Sequence, residues 1–188
     1  MGHYIIEIRD DDTFSEAIVV KIRSSAEATL TIRAAVGSTP AVESDKNNKP
    51  ALKVSFPFVT VEGLRLIGAK RSAGVHNCAD DVTVRGCDIY GADERGTQGV
   101  FIQGAQRALV VDNAIHDNGV SMIVFDAKDD GNTIRNNRIY DNAESGIWIY
   151  KGSANSTVFN NTLFSYFIEI QLRTSMSSPA AAVRSEKV

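Results

Sequence analysis

The stretch Thr133–Tyr150, TIRNNRIYDNAESGIWIY, decides how this chain is read. It holds a β-rich line, IRNNRIYDN, a polar corner, and a second run, SGIWIY. Similar lines stand before and after it: VEGLRLIG from Val61, VRGCDIYG from Val84, VVDNAIHDNG from Val110 and VFNNTLFS from Val158. The second run also recurs, as GVHNC at Gly74, GVFIQ at Gly99, SMIVFD at Ser121 and FIEIQ at Phe167. The period is roughly 24 residues, the mark of a solenoid built from stacked units.

Such a period admits a leucine-rich repeat or a parallel β-helix. Leucine is not the periodic residue, and no run reads as a long helix. β-branched residues at alternate positions, with Gly, Asn and Asp at the corners, specify short strands. One coil of such a solenoid cannot bury its inner face alone, so stacking must create the core. Val110 and Ile115, Ile134 and Ile139, and Val158 and Leu163 form inward columns. Asn113, Asn137 and Asn161 share a corner column, where amides can bond from coil to coil. Leu64 and Cys87 hold that column earlier, so the ladder starts at Asn113.

The lines VRGCDIYG, IRNNRIYDN and SGIWIY resemble the parallel β-helix repeats of the pectin-lyase-like superfamily, which also occur in NosD-like and other large secreted bacterial proteins. The resemblance runs from about Leu52 to Leu172 and is looser over Tyr4–Val42. It implies an all-β, right-handed parallel β-helix of about seven coils over residues 1–174. Residues 175–188 form a tail. There Ser178 before Pro179 suits the start of a short helix over 180–187, one that caps the last coil or frays. The superfamily includes lyases, hydrolases, epimerases, tailspikes and adhesins, so the resemblance is specific for fold and not for activity.

Composition sets bounds on function. The 188 residues are 43% hydrophobic and 23% charged, with net charge −3, so no general attraction to nucleic acid is expected. No apolar run reaches the ~18 residues of a membrane helix. Met1-Gly2-His3 leads directly into YIIEI without an export signal, whereas the resemblance implies an extracellular, cell-surface or periplasmic setting. Cys78 and Cys87 read as free thiols acting as small apolar groups, Cys87 inward and Cys78 in another column. The three histidines lack ligand spacing, so no metal centre and no cofactor are expected, Ca²⁺ being the one ion left open.

The second runs suggest an exposed sheet. With Val75, Val100, Ile123, Ile147 and Ile168 inward, alternation turns His76, Phe101, Val124, Trp148 and Glu169 outward. Two residues on, Cys78, Gln103, Asp126, Tyr150 and Gln171 also face out. Flat rings at Phe101, Trp148 and Tyr150 suit the apolar faces of sugars, and Gln103, Asp126 and Gln171 can bond hydroxyls. The resemblance makes this sheet a saccharide groove; cover by a loop or a partner chain is the competing reading. Arg107, Lys128, Lys151 and Arg173 follow at similar offsets and offer a basic edge.

For catalysis the compact candidates are Asp126, Asp129 and Asp130 with Lys128 or Lys151. These are the carboxylates and cations a Ca²⁺-assisted lyase would need. Asp126 and Glu169 stand two coils apart, near the upper limit for an inverting hydrolase. His116 belongs to another face. The chain therefore reads as a non-catalytic scaffold with a polysaccharide-binding face. The alternatives are a polysaccharide lyase or glycoside hydrolase, or a fragment of one, and a structural module that stacks end to end as a homo-oligomer.

Overall fold

The computed structural model describes residues 2–21, 23–44, 49–69, 71–125, 130–144, 146–150, 155–164, 170–172 and 182–183. They form a right-handed parallel β-helix of three sheets. Sheet I stacks Gly2–Ile8, Ala28–Ala34, Val59–Glu62, Thr83–Arg85, Leu109–Val111, Thr133–Arg135, Thr157–Phe159 and Ala182–Val183. Sheet II stacks Thr13–Phe14, Ala41–Glu43, Arg65–Ile67, Asp88–Tyr90, Ala114–His116, Arg138–Tyr140 and Thr162–Phe164. Sheet III stacks Ile18–Val20, Leu52–Val54, Val75–Asn77, Gln98–Gln103, Val120–Phe125, Ile147–Ile149 and Ile170–Leu172. Seven coils are thus complete, and Ala182–Val183 opens an eighth by pairing with Thr157–Val158. A strand, not the expected helix, stands at those two positions. A β-branched valine that can add to an open parallel edge gains ladder bonds that a helix too short to persist alone would not supply.

The repeat columns of the sequence are the register of the structure. Val61, Val84, Val110, Ile134 and Val158 pair in succession in sheet I. Leu66, Ile89, Ile115, Ile139 and Leu163 do so in sheet II. Apart from Leu163, which is partly buried, every one is at most 2% exposed. Burial of such side chains, at about 1.5–3 kcal/mol each, is the main favourable term.

The corners explain the polar residues. Between sheets I and II the chain turns through one left-handed residue, at Gly63, Gly86, Asp112, Asn136 and Asn160, with φ from 52° to 69°. Glycine, asparagine and aspartate are the types that tolerate that conformation. The next residue is the ladder position. Asn113 Nδ2 donates to Asn137 Oδ1 at 3.0 Å, and Asn137 Nδ2 to Asn161 Oδ1 at 2.9 Å. The same oxygens accept the backbone N–H groups of Asn113 and Asn137. Asn113 Oδ1 takes the N–H of Cys87, so the ladder begins where the sequence places it. A second ladder joins Asn118 and Asn142 at the far corner of sheet II, after left-handed Asp117 and Asp141.

Candidate functional site

Sheet III carries the second runs of the repeat. Its inner side is closed by Leu52, Val75, Val100 and Ile147, all fully buried, and by Val54, Asn77, Ile102 and Ile149. Between them, Lys53, His76, Phe101 and Trp148 are half-buried. Lys53, His76, Phe101, Ile123, Trp148 and Gln171 occupy one register row, one residue per coil. Adjacent strands lie about 4.8 Å apart, so the row is a regular line along the solenoid axis.

Two strands differ in register from the reading of the sequence, and Phe125, not Asp126, stands level with Gln103. Val100 pairs with Met122, not Ile123, and Ile123 stands level with Phe101 and Trp148 in place of Val124. Ser121 falls opposite Gly99 at the corner, so the next residue, an unbranched methionine, takes the position of Val100. A one-residue slip exchanges the faces of a strand, which is why the choice of β-branched Ile123 misled. Ile147 likewise pairs with Ile170 and not Ile168, so Gln171 stands level with Trp148 where Glu169 was expected. Glu169 itself lies outside the described residues, as do Asp126, Lys128, Asp129, Lys151 and Arg173.

Ring contacts join neighbouring side chains of this sheet. The imidazole of His76 stacks on the ring of Phe101, centroids 4.9 Å apart and planes 25° from parallel. Trp148 and Tyr150 meet at 5.9 Å with a 57° tilt. His76 Nε2 lies 3.1 Å from Gln103 Oε1 and 3.1 Å from Cys78 Sγ. Burial holds the pKa of His76 below its ordinary value; the bond to Gln103 opposes this, and the ammonium of Lys53 adds to it. Ring edges, the tilted Trp148–Tyr150 pair and the Gln103 amide therefore form a face of mixed apolar and hydrogen-bonding character.

The basic edge takes another form. Arg107 Nε and Nη2 donate to the two oxygens of Asp81 at 2.8 and 2.7 Å, and Asp80 Oδ2 lies 3.5 Å from Nη2. The guanidinium clamps two coils at the corner between sheets III and I, and it holds the Asp81 carboxyl below its usual range. Asp130, the one described member of the acidic cluster, accepts a bond from Asn155 Nδ2 at 2.9 Å. Among the described residues no group of three or more His, Cys, Asp or Glu side chains could hold a metal ion.

Sequence reading passed over the outer face of sheet II. His116 lies between Tyr90 and Tyr140, with centroid distances of 5.2 and 4.6 Å and planes within 12°. Its Nε2 meets Asp88 Oδ1 at 2.8 Å, and its Nδ1 meets Asp117 Oδ2 at 2.7 Å. Arg138 lies 4.9 Å over the Tyr140 ring. The signal was present in DIY, AIH and RIY, whose third residues share a column. The stacked rings and the two carboxylates bonded to His116 tie three successive coils together along sheet II.

The right-handed beta helix region, as a sequence family, matches residues 18–177. No curated protein sequence matches the chain. Among solved structures, the alginate lyase from Paenibacillus sp. strain FPU-7 is similar over 85% of this chain and 59% of its own, with TM-score 0.72 and 19% identity. The A-module of the Azotobacter vinelandii mannuronan C-5 epimerase AlgE4 is similar over 96% of this chain and 58% of its own, with TM-score 0.57 and 19% identity. The chain thus spans less than two thirds of the length of either structure, and at such identity the likeness is one of fold.

Proposed function

The chain belongs to the right-handed beta-helix family, and from that premise we propose that it is a polysaccharide-binding β-helix whose outer sheet III face contacts the glycan without transforming it. The observation that carries this reading is the register row His76–Phe101–Ile123–Trp148 on a parallel sheet, with Tyr150 and Gln103 beside it. A linear polymer lying along the solenoid axis meets one row position per coil. The solved structures of similar fold act on alginate and mannuronan by their names, which supports a uronate polymer as the first ligand to test. Trp148 is the only tryptophan, so its fluorescence reports binding directly. Adding oligomannuronate is expected to shift Trp148 emission, and Phe101→Ala is expected to weaken the titration at least about fivefold, since a stacked aromatic carries about 1–3 kcal/mol when truncated. Unchanged emission and no retention on immobilised alginate would remove the reading, and ultraviolet-absorbing unsaturated product would replace it with a lyase.

A second reading, end-to-end stacking, is favoured by the first strand. Tyr4, Ile5 and Ile6 there are 63%, 56% and 46% exposed. Tyr4 and Ile6 pair with the buried Leu30 and Ile32, so they continue core columns while remaining partly exposed themselves.

A further inference from the structure

Beside the aromatic row stands a thiol with an arrangement that glycan contact does not use. Cys78 is partly exposed, and its Sγ lies 3.1 Å from His76 Nε2. The same nitrogen lies 3.1 Å from Gln103 Oε1 on the next strand. The two contacts suit successive states of one proton. An unprotonated Nε2 accepts the thiol hydrogen; once it has taken that proton, the N–H donates to Gln103 Oε1. Lys53 is level with His76 on the preceding strand and adds positive charge to the neighbourhood. A cation, a base and partial exposure are the surroundings in which a cysteine becomes nucleophilic. Burial disfavours the imidazolium, and the bond to Gln103 Oε1 is the contact that favours it, which is why Gln103 is needed for His76 to take the proton. The second cysteine is the opposite case: Cys87 is buried, and burial pushes its thiol up to about 12.

We propose that Cys78, His76 and Gln103 form a thiol–disulfide exchange site, with His76 as the base, Gln103 as the residue that positions its protonated form, and low-molecular-weight disulfides as the substrate class. In the step, the Cys78 proton passes to His76 Nε2 and the thiolate attacks one sulfur of the disulfide. A new bond forms between Cys78 Sγ and that sulfur while the original S–S bond breaks. The departing thiolate takes the proton from His76. Cys78 is oxidised, half of the disulfide is reduced, and no further reactant is required. The adduct would stand beside Phe101 and Gln103, so modification would also obstruct that end of the aromatic row. The exchange chemistry itself does not depend on glycan binding.

Oxidised glutathione is the probe, with intact mass and peptide mapping as readouts on the native chain. One glutathione is expected on Cys78 and none on Cys87 until the protein is unfolded. His76→Phe, which keeps a ring against Phe101, is expected to slow the reaction at least about tenfold, and Cys78→Ser to abolish it. Gln103→Leu is expected to slow it and Gln103→Glu to restore it, a pattern that a loss of packing would not give. Melting curves of each variant identify any that fail to fold, and the glutamate rescue then stands alone as the test. A Cys78 that stays unmodified, or that reacts equally fast in His76→Phe, overturns the proposal.

Discussion

Asn137 shows how one side chain holds three coils. Its Oδ1 accepts from both the backbone and the side chain of Asn113, its Nδ2 donates to Val110 O and to Asn161, and its N–H donates to Asn161. It is 1% exposed, so water cannot replace any of these bonds. Asn137→Leu is expected to cost about 1–3 kcal/mol, the penalty of leaving the Asn113 N–H buried and unmet. A lower denaturation midpoint at unchanged slope checks this. The ladder was legible because identical residues recur one period apart. The sequence put His76, Cys78 and Gln103 on one face, but not the bonds between them, because the Gln103 contact spans 27 residues and depends on the strand register. His76 also makes stability depend on pH. Its pKa is depressed from 6.5 in the folded chain, so the unfolded chain binds its proton more readily. The contribution is present above 6.5 and is lost as pH falls through the folded value. Denaturant titrations across that range should show a decline that His76→Phe lacks.

At the scale of the strand, what matters is where each run begins. Gly99 starts its run against Ser121, and a Cβ placed there would lie 2.8 Å from Asn118 Nδ2, 2.8 Å from Ser121 O and 2.9 Å from Ile115 Cγ2. Gly74 is equally confined, with Ile89 Cγ2 at 2.7 Å and Gly99 O at 2.9 Å. These glycines let sheet III leave the corner tightly over the second amide ladder. Gly99→Ala is therefore expected to destabilise by about 1–3 kcal/mol, through displacement of backbone and of Asn118. Hydrogen exchange should localise the loss to the Asn118–Asn142 corner. The same corner marks the limit of sequence reading. Where glycine opened the run, as in GVHNC and GVFIQ, the inward residue was placed correctly. Where Ser121 stood instead, the β-branched bias moved the frame by one, and in FIEIQ two isoleucines at the same parity left the frame undecided.

At the largest scale the chain is a stack of coils. In the first coil Tyr4 and Ile6 continue core columns yet stay partly exposed with Ile5, and among the described residues no strand pairs with the edge of Gly2–Ile8 away from Ala28–Ala34. Unpaired parallel edges over apolar columns favour addition of further strands. If such ends meet those of other copies, sedimentation should show concentration-dependent association, and Ile6→Lys should abolish it while leaving the melting temperature little changed. A monomer at every concentration would remove the stacking reading. The architecture as a whole was visible in the chain because each period repeats its hydrophobic columns. Its first coils were harder to read because their strands lie on longer and less regular spacings.

The regular register between Val110 and Val158 makes a coil interchangeable with its neighbours. Duplicating residues 134–157 in frame would repeat the left-handed corners, the ladder amides and the buried isoleucines of one coil, and would lengthen the protein by one strand spacing, about 4.8 Å. Evolution, or an engineer, can therefore adjust the footprint of this surface in whole steps, as a rule is cut to the next division, without redesigning anything on either side of the cut.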